Sequence, residues 1–133
     1  MRAVAALREF CRTQQVDENT LFALSLALEE CASNIVNHSL RRDAQETFRM
    51  ALGSTGTAIV IELRDRGPQF DPTGPSVVQE EPGGKDREPG GWGIQLARRF
   101  MDEMLYTREG GENVLRLIKS FDAPAEKDIR RRQ

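Results

Sequence analysis

Three short groups of residues in this sequence carry side chains or backbone suited to a phosphorylated ligand. Glu30, Asn34 and His38 follow one another at i, i+4 and i+8, so on a helix they stack on one face, with Asn37 three positions after Asn34. A carboxylate beside an amide on such a stripe sets a proton acceptor next to an oxygen ligand for Mg²⁺, within reach of the same phosphate-bearing molecule. Glu29 lies about 100° round the helix from Glu30 and reads as a solvated acid. Asp65-Arg66-Gly67 follows an apolar run. A carboxylate at a strand end accepts a hydrogen bond from an exocyclic amine such as that of adenine, and a glycine two residues later lets backbone approach a planar ring. Gly90-Gly91-Trp92-Gly93-Ile94 precedes a helical pattern. There, unpaired N–H groups and the positive end of the helix dipole cradle phosphate without a cationic side chain.

Taken singly, each group is also what an amphipathic helix, a tight turn or a glycine-rich helix start looks like, so their order has to carry the weight. Other chemistries are excluded more directly. Gly84-Lys85 is followed by Asp86, where a phosphate-binding P-loop needs Ser or Thr. His38 is the sole histidine, which rules out a His-rich metal centre. Gly53-Ser54-Thr55-Gly56 lacks the spacing of a nucleophile elbow. Cys11 and Cys31 form neither a Cys-x-x-Cys pair nor a Cys/His cluster, so both read as buried or idle thiols.

The elements that must position these residues follow from periodicity. Val4, Leu7, Phe10 and Cys11 predict a first helix of about 12 residues. Leu21, Leu24, Leu28, Cys31 and Ile35 predict a second from Thr20 to about His38, with Asp17 or Asn19-Thr20 as its cap. Phe48, Met50 and Leu52 alternate with polar or small residues and lead through Gly53–Gly56 into a β-branched run, 57–64, which reads as a hairpin. Residues 66–91 show no period and hold five of the six prolines, a length typical of a lid or a linker. Ile94 to Met104 predicts a third helix, and 104–107 and 114–121 predict two strands joined at Gly110-Gly111. The expected fold is α+β: a two-layer α/β sandwich whose mostly antiparallel, mixed sheet is covered by helices on one face.

At 133 residues the chain fits one domain, expected over 1–122, with a basic, frayed tail over 123–133. A net charge of -2 gives no general attraction to nucleic acid or to an anionic membrane. No apolar run approaches the roughly 18 to 20 residues that span a bilayer, and residues 1–3 lead into a mixed-polarity helix rather than a signal sequence, so a cytoplasmic location is expected.

In combination the blocks Glu30-Cys31-Ala32-Ser33-Asn34, Asp65-Arg66-Gly67-Pro68-Gln69-Phe70-Asp71-Pro72 and Gly91-Trp92-Gly93-Ile94-Gln95-Leu96 resemble the GHKL, or Bergerat-fold, ATPases. Within these they are similar to the small bacterial anti-sigma factor serine/threonine kinases, and the likeness runs over nearly the whole chain. The resemblance implies a histidine-kinase-like ATPase fold with a long ATP lid over 66–91, and ATP and Mg²⁺ as ligands. It implies that Glu30 is the general base and that Asn34 completes Mg²⁺ coordination between the phosphates. Asn37 and His38 would line the pocket, Asp65 would read the adenine amine, and Gly67 would allow its approach. Gly91 and Gly93 would let the lid close, while Phe70, Pro72, Trp92, Ile94 and Leu96 belong to the same nucleotide-binding blocks. The implied partner is a STAS-domain anti-anti-sigma protein phosphorylated on serine; a sigma factor competes for the kinase, and related kinases are commonly homodimers. A nucleotide-dependent sequestering module without significant kinase activity is the alternative. Three departures stand out: Gln69 where many relatives have glycine, no threonine in the late strand 113–119, and a helical pattern starting at Val4 where the family has a strand first.

Overall fold

The structure, a computed structural model, describes residues 2–39, 47–74 and 91–122. Most of the lid (75–90) and the basic tail expected over 123–133 lie outside the described residues. In chain order the elements are α1 (Arg2–Thr13), α2 (Glu18–Asn34) running into a π turn (Ile35–Ser39), β1 (Arg49–Ser54), β2 (Ala58–Asp65), α3 (Gly91–Phe100), β3 (Glu103–Glu109) and β4 (Glu112–Ser120).

Strong local signals start and stop these elements. Asp17, in extended backbone, caps α2: its carboxylate accepts from the Thr20 N–H at 3.0 Å and from the Thr20 hydroxyl at 2.7 Å. Gly110 and Gly111 take positive φ of 56° and 79°, the two left-handed residues that a two-residue hairpin needs, and so join β3 to β4. Met101 N–H closes the last turn of α3 on the Ala97 carbonyl, and Asp102 N–H then pairs with the Ile118 carbonyl in the sheet. That exchange ends the helix at Phe100 and gives Met104 to β3, four residues short of the helix end that periodicity predicts.

The sheet order is β1-β2-β4-β3 and every pairing is antiparallel. Alternation along β2 sends Ile59, Ile61 and Leu63 inward, where they meet Leu115 and Leu117 of β4, Leu24, Leu28 and Cys31 of α2, Leu7 of α1, and Ile94 and Ala97 of α3. Of the predicted second-helix stripe only Leu21 is not fully buried. The opposite face of the sheet is ionic. Glu62 sits across from Arg116 and accepts from it at 2.9 and 3.0 Å, while Arg64 bridges Glu62, Glu109 and Glu112. This is an α+β two-layer arrangement with one face covered by helices. Among the described residues no helix is long and apolar enough to cross a membrane.

Candidate functional site

The inward row of β2 does not stop at Leu63: the same alternation carries Asp65 inward, leaving its side chain only 3% exposed. A carboxylate on the core face must be hydrogen-bonded. Oδ1 of Asp65 accepts the Gly67 N–H at 2.9 Å and the Asn113 side-chain amide at 3.0 Å. Asn113 is the register partner of Asp65 on β4, and it is equally buried. Its Nδ2 also donates to the Pro68 carbonyl (2.9 Å), and its Oδ1 accepts from Phe70 N–H (3.1 Å), the Tyr106 hydroxyl (2.5 Å) and Arg108 Nη1 (3.1 Å). Arg108 Nη1 donates as well to the Gly67 carbonyl at 2.8 Å. The chain leaving β2 is thus held to the β3–β4 hairpin from Asp65 to Phe70. Asp71 then closes its own turn, accepting from the Thr73 N–H (2.8 Å) and hydroxyl (2.5 Å).

Asn34 comes to the same place from α2. With Ile35, Asp65, Phe70, Pro72, Tyr106, Asn113 and Leu115 it lines a small cavity of about 10 Å³, which has room for scarcely one water. Asn34 is 3% exposed, and among the described residues its buried amide nitrogen has no hydrogen-bond partner. Four residues marked by sequence, Asn34, Asp65, Phe70 and Pro72, therefore share one pocket, and Gly67 is tied to the carboxylate within it.

Glu30 lies one helical turn before Asn34 and is half-buried. Its carboxylate rests against the first turn of α3, so close that a Cβ built on Gly93 would overlap Oε2 and Cδ of Glu30. Gly93 leaves room for the Glu30 side chain to lie in this place, and the Glu30 charge sits at the positive end of the α3 dipole. The glycines expected as a turn ahead of a helix at Ile94 form the helix's own first turn. Gly91 and Trp92 open it, Ile94 is fully buried in the core, and Leu96, 40% exposed, lies outside the cavity lining. Asn37 donates to the Ser33 hydroxyl at 3.3 Å, and His38 falls in the π turn. The side chains of His38 and Trp92 lie outside the described part. Behind Glu30, burial first and the Glu30 charge second push the Cys31 thiol up to about 12, which makes it an apolar packing group rather than a nucleophile.

Among the described residues no three His, Cys, Asp or Glu side chains converge on a metal site. The donor set is one carboxylate and buried amides. That suits a cation carried mainly by its ligand's phosphates and by water, as Mg²⁺ commonly is. Asn113 is the site residue that sequence reading passes over; the signal for it is its place on β4 opposite Asp65, visible only once the strands are in register.

Residues 1–119 match the family described as the histidine kinase-like ATPase domain. The chain is 32% identical over 106 residues to the serine/threonine-protein kinase BtrW of Bordetella bronchiseptica, covering 77% of this chain and 72% of that one. It is 31% identical over 112 residues to the serine-protein kinase RsbW of Oceanobacillus iheyensis, covering 80% of this chain and 68% of that one.

Proposed function

The chain belongs to the histidine kinase-like ATPase family, and from that premise we propose that it binds Mg-ATP and phosphorylates a serine or threonine of a STAS-domain anti-anti-sigma protein. One observation carries the reading: a buried carboxylate, Asp65, and a buried amide with an unpartnered nitrogen, Asn34, line one pocket a helical turn from Glu30. An unmet buried polar group costs about 1–3 kcal/mol, and of the two such side-chain atoms among the described residues, Ser25 Oγ and Asn34 Nδ2, only the second belongs to a residue that lines this cavity.

Asp65 accepts the adenine amine and Gly67 keeps the backbone low beside the ring. Phe70 and Pro72 supply apolar wall. Asn34 would hold Mg²⁺ through its amide oxygen. When bound, Mg²⁺ would supply charge that neutralises the phosphates. Glu30 takes the proton of the attacking hydroxyl as the new P–O bond forms and the bond to the departing ADP oxygen breaks. The first turn of α3, with Gly91 and Gly93, offers N–H groups to the phosphate oxygens. As an anti-sigma factor the same protein holds a sigma factor when its partner is phosphorylated.

Two measurements test this. Calorimetric titration with ATP and Mg²⁺ should show binding by the wild type that Asn34→Ala and Asp65→Asn weaken; no binding by the wild type at millimolar nucleotide ends the proposal. Glu30→Ala should bind ATP yet lose about 10²-fold or more in phosphoryl transfer to a cognate STAS protein. Transfer at the wild-type rate removes Glu30 as the base. ATP-dependent capture of the partner with no phosphoserine formed by the wild type supports the sequestering module instead.

A further inference from the structure

Asn113 lies on the late strand, whose residues 113–119 hold no threonine, and its surroundings favour one orientation of its amide. Three donors, Phe70 N–H, the Tyr106 hydroxyl and Arg108 Nη1, converge on Oδ1. Two acceptors, Asp65 Oδ1 and the Pro68 carbonyl, converge on Nδ2. Flipping the amide would set oxygen against two acceptors and NH₂ against the Phe70 N–H and the Arg108 guanidinium, so four of the five bonds would be lost, and only the Tyr106 hydroxyl, which can also accept, could pair again. From these contacts we infer that Asn113 is a positioning residue for base selectivity: it locks the Asp65 carboxylate and the 68–70 turn into one rigid unit that discriminates for a purine 6-amino group. This rests on the reading of Asp65 as the adenine acceptor.

The physical reason is geometric. Oδ1 of Asp65 receives both the Asn113 amide and the Gly67 N–H, and two donors on one oxygen fix the plane of the carboxylate and so the direction in which Oδ2 points. The carbonyl of Pro68 and the N–H of Phe70, bound to the same amide, fix the wall beside that carboxylate. Arg108, bound to both Asn113 and the Gly67 carbonyl, braces the unit from β3. A carboxylate held this way accepts from an amine in one place. A carboxylate free to turn gains less from the amine, because it must be ordered on binding.

The test compares affinities for ATP and for purine riboside 5′-triphosphate, which lacks the 6-amino group, in wild type, Asn113→Asp, Asn113→Ala and Asn113→Thr, with thermal melts to establish that each is folded. The wild type should prefer ATP by roughly ten- to a hundredfold, the range for a hydrogen bond to a charged group. Asn113→Asp keeps the shape and the acceptor side but turns the donor into a second carboxylate facing Asp65; its preference should fall towards one. Asn113→Ala removes the donor without adding charge and should fall likewise. Asn113→Thr retains a donor hydroxyl on a residue suited to strands, and should restore part of the preference and decide the matter should the other two not fold. A folded Asn113→Asp or Asn113→Ala that keeps the wild-type ratio overturns the inference, as does an Asn113→Thr no better than one when folded. A wild type that does not distinguish the two nucleotides overturns the adenine reading of Asp65 itself, and the inference with it.

Discussion

At the scale of single residues, two buried asparagines define this site by contrast. Asn113 has five hydrogen bonds on its amide, whereas the Nδ2 of Asn34, across the same small cavity, has none. Saturation suits a group that holds others in place, as Asn113 does, whereas Asn34 has an amide end that is not tied down among the described residues. Between Asn34 and Glu30 lies Cys31, whose thiol burial pushes up to about 12, while burial likewise raises Cys11 to about 11. Thiolate is the reactive form, so at pH 8 both cysteines should react with a maleimide only as fast as the protein opens, and quickly in urea. Rapid labelling of Cys31 in the native protein would mean that α2 is not packed as described.

At the scale of elements, α2 carries both the core stripe and the site stripe, so whatever loosens its start is felt at Glu30. Replacing Asp17 by alanine removes two hydrogen bonds from the first turn and should cost about 1 kcal/mol in urea unfolding, with Asp17→Asn retaining most of the stability. An unchanged unfolding midpoint in the alanine variant would show that the cap is idle. Elements of this kind are legible in sequence because their causes are local: the 3.6 period of Leu24, Leu28, Cys31 and Ile35, the alternation of Ile59, Ile61 and Leu63, and the Gly110-Gly111 pair. Asp65 is legible for the same reason, as the next inward position of an obvious strand. Asn113 is not, because its partner lies 48 residues away and only the antiparallel register brings them together. The start of α3 escapes as well. Glycine is a poor helix former, so sequence reading begins the helix at Ile94, whereas packing against Glu30 makes Gly93 a helical residue.

At the scale of the whole molecule, the ionic outer face of the sheet sets the response to acid. A hydrogen bond from Arg64 foremost, with Arg116 adding to it against partial burial, holds Glu62 below the usual 4.5; the hydrogen bond from Arg49 does most to hold Glu112 low. Asp102, between α3 and β3, lies below 3.8 chiefly through the Ser120 N–H, then its hydroxyl, with Lys119 adding. Folded values below unfolded ones mean that these groups contribute fully above the ordinary carboxylate range and that their contribution is lost as pH falls through the folded values. The urea midpoint should therefore be level above about pH 5 and decline below about pH 4. Glu62→Gln combined with Asp102→Asn should flatten the decline. Solvent screens these exposed pairs, so the flattening is modest, and a decline as steep in the double variant as in the wild type would place the acid sensitivity elsewhere.

The contact between Glu30 and Gly93 also limits how such a chain can change over generations. With the Glu30 carboxylate where it lies, a side chain at 93 would have to push it aside; with a shorter residue at 30 the overlap is relieved but no acid reaches the first turn of α3. The two positions are therefore a single inherited character. A lineage that drops the acid is free to fill position 93, and an acid returning at 30 would then have to aim its carboxylate away from the first turn of α3.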